Sequence, residues 1–97
     1  DRTSGATVAL FGDQSAGARV HLVQLAAGEH GRPPFAHKGT EIVLAATGLV
    51  LVDLGEWTPV LRAGDGALVS DVAVRGWTNL GPGPATLFWV ALPTSPS

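Results

Sequence analysis

Apolar residues in this chain fall into strand-length runs, each ended by glycine, proline or a polar pair. The runs are "ATVALF", "ARVHLVQLAA", "TEIVLAAT", "LVLVDL", "TPVLRA", "ALVSDVAV" and "ATLFWVAL". All are rich in Val, Leu, Ile and Thr, which suit a pleated, half-buried surface. Thirteen glycines and seven prolines break the chain at the rhythm of an all-β sandwich or barrel and leave no room for a helical period. Seven or eight strands are predicted. "DLGEW" around Gly55 predicts a hairpin tip, "AGDGA" at 63 to 67 a glycine-bearing turn, and "LGPGP" at 80 to 84 a loop before the last strand.

Two runs, "IVLAA" and "LVLV", are apolar on both faces. A sheet made of them must be covered on both sides or closed upon itself, which an antiparallel barrel or jelly roll achieves. The interior of such a small barrel is either filled by side chains or left with room for one small ligand. The few polar residues that point inward decide between the two.

Ninety-seven residues, 45% hydrophobic and 14% charged, make one folded, soluble domain. The longest apolar run, Ile42 to Val52, lies between Glu41 and Asp53 and is far shorter than the roughly 20 residues of a membrane helix. The net charge is -2, and the six basic residues (Arg2, Arg19, Arg32, Lys38, Arg62 and Arg75) are scattered. Without a basic stripe, this segment is not expected to bind nucleic acid directly. The absence of cysteine suits a reducing cytoplasm. The chain starts at Asp1, which reads as an excised domain or a processed product, and its last residues, "PTSPS" at 93 to 97, read as a flexible tail after a domain over 1 to 92.

The segment with most chemistry is "PPFAHKGTEIVLAATG", in which His37 precedes Glu41 by four residues. Gly28 lies upstream, Phe35 two residues before His37, and Gly48 closes the segment. A second constellation, "GDGALVSDVAVRGWTN", runs from Gly64 to Asn79 through Ser70, Val72 and Arg75. Together these resemble the two motifs of the cupins. The first is Gly, His-x-His, Glu, Gly; the second is Gly, Pro-x-Gly, His, Asn. The spacing fits from His37 onward, and Gly64 and Asn79 stand at the right separation. Phe35 and Arg75 replace family histidines, and Ser70 and Val72 replace the proline and glycine. The resemblance spans nearly the whole chain and is greatest to the C-terminal cupin sensor domains of XRE-type helix-turn-helix regulators. It implies an all-β cupin jelly roll, a DNA-binding domain upstream of Asp1, and pairing of two copies through an N-terminal strand such as "TVALF" or a sheet face.

A metal-bearing cupin is expected to hold a divalent ion with three histidines and a glutamate. Here only His37 and Glu41 remain, and two protein ligands are too few for a tight site. Arg75 in a ligand position would add a repulsion of about 8 kcal/mol at about 4 Å and an effective dielectric near 20. The expectation is therefore no metal and no other cofactor. Arg75 is instead expected to pair with Glu41 or to anchor a ligand carboxylate or phosphate. Trp77, two residues on, should share the face of Arg75 in a strand. The candidate pocket is Phe35, His37, Glu41, Arg75 and Trp77.

Trp77, Trp89 and Phe88 are otherwise expected in the core, Trp57 at the surface by the hairpin tip, and His21 and His30 in a strand and a loop. No serine lies in a nucleophile elbow, and "GPGPAT" at 81 to 86 lacks the third glycine and helix of a phosphate loop. The sequence thus points to a metal-free domain that senses a small, anionic molecule and dimerises. The rival readings are a small dioxygenase- or isomerase-type enzyme with a degenerate metal site on His37 and Glu41, and a purely structural dimer with a filled barrel.

Overall fold

The computed structural model describes residues 19–34, 39–70 and 72–92 in full and the backbone of residues 6–11. Nine strands and no helix are present among them: β1 (Ala6–Phe11), β2 (Arg19–Leu25), β3 (His30–Gly31), β4 (Glu41–Thr47), β5 (Leu49–Asp53), β6 (Val60–Arg62), β7 (Gly66–Val69), β8 (Gly76–Asn79) and β9 (Ala85–Ala91). They form two antiparallel sheets, one ordered β1-β2-β9-β4-β7 and the other β3-β8-β5-β6. The predicted jelly roll is therefore present. The tail at 93 to 97 lies outside the described residues.

Strict alternation creates the core. In the five-stranded sheet Val23 and Leu25, Leu87 and Trp89, Val43 and Ala45, and Ala67 and Val69 point inward. They meet Val50, Val52, Leu61 and Trp77 from the four-stranded sheet. The chain changes sheet between β4 and β5 at Gly48, whose φ is +87° and whose Cβ, if present, would lie 2.6 Å from Ala85 Cβ. A side chain there would be both strained and in collision.

Three expectations change. "ALVSDVAV" stops being a strand after Val69, because the chain leaves the sheet edge to form the β7–β8 loop. Two short strands appear that propensity does not announce, β3 and β8, both glycine-bearing. A Cβ on Gly76 would meet the Gly31 carbonyl oxygen at 2.8 Å, so glycine here permits the approach of the two strands. Phe88 faces outward rather than into the core, since its neighbours Leu87 and Trp89 take the inward positions.

At the base of the barrel Asn79, buried on β8, acts as a latch. Its Nδ2 donates to the carbonyl oxygens of Leu25 (3.2 Å), Ala26 (3.0 Å) and Gly83 (2.8 Å), and its Oδ1 accepts from Gly81 N at 2.9 Å. The side chain thus ties the end of β2 and the β8–β9 loop together. Asn79→Asp would turn an acceptor toward those carbonyls and should cost on the order of 3 kcal/mol. Urea denaturation checks this, and a loss below about 1 kcal/mol would show that the latch is dispensable.

Candidate functional site

The site begins with Glu41, the first residue of β4, because it is a carboxyl group with almost no exposure (1%). Its register partners are Val69 on β7 and Ala91 on β9, which places it at one end of the barrel facing inward. Trp89, one inward position further along β9, donates its Nε1–H to Glu41 Oε1 at 2.8 Å. The backbone N–H of Val74 donates to Oε2 at 3.3 Å. Each carboxyl oxygen therefore has a protein donor, one from β9 and one from the segment leading into β8. Burying an unpaired carboxyl group would be expensive, and these two bonds are what make its position tenable.

Next to this pair stand aromatic rings. Trp89 packs against His21 with centroids 5.3 Å apart and against Trp77 at 6.4 Å. The three rings reach from one sheet to the other. Both indoles are fully buried, so the expectation that they belong to the core holds. Trp77 Nε1 is buried without a hydrogen-bond acceptor among the described residues. It is the donor that a molecule entering the barrel would meet.

Arg75 departs from expectation. It makes no ion pair with Glu41: the guanidinium lies outside, against Gly55, where a Cβ would sit 3.1–3.2 Å from Cζ, Nε and Nη2. The cause is local. Arg75 precedes β8 in coil, and its N–H donates to the Asp53 carbonyl at 2.8 Å, which directs the residue toward the β5–β6 tip. Trp77 lies within the barrel and does not share a face with it. Of the five expected pocket residues, the structure thus brings Glu41 and Trp77 inside and leaves Arg75 on the surface. Phe35 and His37 lie outside the described residues.

Arg19 is the cation that the motif spacing passed over. The alternation of "RVHLVQL" puts it in phase with inward-facing His21, Val23 and Leu25, and its register partner Ala91 is also that of Glu41. The alternation alone could have found it. His21, buried on β2, has its pKa lowered from 6.5, first by burial and then by the charge of Arg19. His30 is exposed and belongs to β3 rather than to a loop.

Of the ligand positions in the cupin motifs, the described residues hold Glu41 and Arg75, and only Glu41 can ligate an ion. Both oxygens of Glu41 accept hydrogen bonds, from Trp89 and Val74, and the described residues, which do not include His37, contain no group of three or more His, Cys, Asp or Glu able to hold an ion.

Comparison with solved structures agrees with this geometry. The fold is that of the cupins. A cupin domain of an XRE family transcriptional regulator from Enterobacter cloacae matches with a TM-score of 0.76 and 16% identity, over 97% of this chain and 99% of that one. A Thermus thermophilus protein, TT1209, matches with a TM-score of 0.76 and 28% identity, over 95% and 86%. An oxalate oxidase in complex with glycolate matches at 0.76 and 21% identity, over all of this chain but 55% of its own. No family model matches the sequence, and no curated protein does either. At such identities the likeness speaks for the cupin fold, and it joins regulators to enzymes.

His21 provides a pH test. Because its folded pKa is lowered, the unfolded chain binds the extra proton first as pH falls, so stability is full above about 6.5 and declines through the folded pKa below it. Thermal unfolding between pH 8 and pH 5 should show this decline, and His21→Gln should flatten it. An unchanged slope in the variant would assign the decline to other groups.

Proposed function

We propose that this chain is a metal-free regulatory cupin domain that binds a small molecule and pairs with a second copy of itself. The observation that carries the metal-free part is the double use of Glu41 as an acceptor for Trp89 Nε1 and Val74 N. In this reading the carboxyl group serves the fold, joining β4 to β9 and to the approach to β8, and holds no ion. The likeness to the cupin domain of an XRE family regulator, 99% of which is matched, supports the regulatory reading. In that reading a DNA-binding domain stands upstream of Asp1 and the protein works in the cytoplasm. No helix among the described residues is long and apolar enough to cross a membrane.

Pairing is supported by the outer face of the five-stranded sheet. One row across it reads Val20, Val90, Ile42, Leu68, and the next reads Leu22, Phe88, Leu44. Seven apolar side chains thus stand on a face that an antiparallel sheet normally gives to polar residues. Leu44 is 44% and Leu68 65% exposed, and no described element covers the face. The other sheet, by contrast, shows Thr78, His30, Arg62 and Asp53 among its outward residues. An uncharged patch of this width is complementary to itself, as a two-fold interface requires.

Three measurements test the proposal. Elemental analysis after incubation with manganese, iron and zinc should find far less than one metal per chain, whereas about one per chain would favour a cupin enzyme using His37 and Glu41. Sedimentation should give twice the 9.9 kDa chain mass, and Leu44→Glu should shift it to the monomer; a monomeric parent would refute the pairing. The coding sequence before Asp1 should contain a helix-turn-helix, and its absence would remove the regulator from the account.

A further inference from the structure

The five-residue pocket expected inside the barrel is not where Arg75 lies, and the place it occupies has the features of a binding site. The β5–β6 tip and the β7–β8 loop enclose an open cleft of about 710 Å³, lined among others by Leu54, Glu56, Trp57, Leu68, Val72 and Arg75. That volume is within the ordinary range for small-molecule sites.

The tip is held in a defined shape. Asp53 Oδ1 accepts from Gly55 N at 2.8 Å, Leu54 N donates to the Trp57 carbonyl at 2.9 Å, and Arg75 N donates to the Asp53 carbonyl at 2.8 Å. Gly55, at φ +94°, has no side chain, and the Arg75 guanidinium occupies the space that a Cβ would exclude. Arg75 is thus seated by its backbone and by Gly55. No described carboxylate forms an ion pair with it, although Glu56 lines the same cleft. Among the described residues its fork of N–H donors faces no partner, and Trp57, 60% exposed, presents an aromatic surface in the same cleft.

We propose that this cleft, outside the barrel, is the small-molecule site and that it takes a monoanionic carboxylate with an apolar body. The inference rests on the reading of the chain as a small-molecule-binding domain. Arg75 pairs with the carboxylate through its planar fork, which matches that group in geometry. Trp57, Leu54, Leu68 and Val72 take the apolar body. Glu56 sets the charge limit: its own negative charge opposes a second one on the ligand, so a carboxylate is preferred to a phosphate.

The test is a ¹H–¹⁵N NMR titration of the full chain with phenylacetate, read from the three indole N–H resonances of Trp57, Trp77 and Trp89. Trp57 and the Arg75 amide should move saturably, while Trp77 and Trp89 stay in place. Phenylacetamide and phenyl phosphate should each bind about tenfold more weakly, and Arg75→Gln and Trp57→Ala should each weaken phenylacetate by a similar factor. Unmoved Trp77 and Trp89 resonances in both variants certify the fold. Equal binding of acid and amide, or unchanged affinity in both variants, overturns the proposal. A titration that moves Trp77 Nε1–H and leaves Trp57 unchanged also overturns it, since the molecule then enters the barrel and the small-molecule reading survives alone. No saturable shift at all refutes the ligand class, and a thermal-shift screen of a broad metabolite panel then judges the small-molecule reading separately.

Discussion

The hydrogen bond from Trp89 Nε1 to Glu41 Oε1 is the contact on which the barrel's chemistry depends. It runs diagonally between β4 and β9, the central pair of the five-stranded sheet, and it satisfies a carboxyl group with essentially no access to water. The second oxygen reaches Val74 N and so fastens the approach to β8, in the opposite sheet, to the start of β4. A residue that in a metal-bearing relative would face an ion here joins the two sheets. Buried polar groups held in this way favour one arrangement of the surrounding chain, because every alternative leaves a donor or an acceptor unmet.

From this constraint the distribution of the remaining groups follows. With Val74 drawn inward to Glu41, Arg75 turns outward in the next position and Trp77 returns to the interior two residues later. The cation therefore leaves the barrel and the indole enters it. The interior becomes a column of rings, His21 to Trp89 to Trp77, with an unmatched indole N–H, while the cleft that holds Arg75 forms outside by Gly55 and Trp57. At the opposite end Asn79 plays the corresponding part with backbone carbonyls. The surfaces proposed for binding and for pairing adjoin each other. The cleft occupies the loop end, and the apolar rows occupy the outer sheet face, with Leu68 belonging to both.

Much of this was legible in the sequence. Alternation in "RVHLVQL", "EIVLAAT" and "ATLFWVA" marks both the inward residues and the outer rows, and the glycine-bearing breaks at Gly48, Gly55 and Gly64 mark real turns at positive φ. The two apolar faces of "IVLAA" were visible as well, but not their fate: Ile42 and Leu44 point away from the barrel and remain uncovered by the described residues. Short strands such as Gly76–Asn79 escape a propensity reading because close approach of two backbones, not side-chain preference, creates them. The orientation of Arg75 was illegible for a similar reason. Motif spacing gives a position along the chain, whereas the backbone bonds of Val74 to Glu41 and of Arg75 to Asp53 bear on which side of the loop the side chain takes.

The central claim is that Glu41 serves the fold as an acceptor and is not available to a metal. Hydrogen–deuterium exchange of the Trp89 indole N–H, followed by NMR with and without added zinc, tests it most directly. The account predicts slow exchange and an unmoved resonance in both conditions, because the bond to Glu41 is buried and remains intact. A resonance that shifts or becomes exchangeable at one equivalent of zinc would mean that the metal takes the carboxylate from Trp89, and would contradict the account.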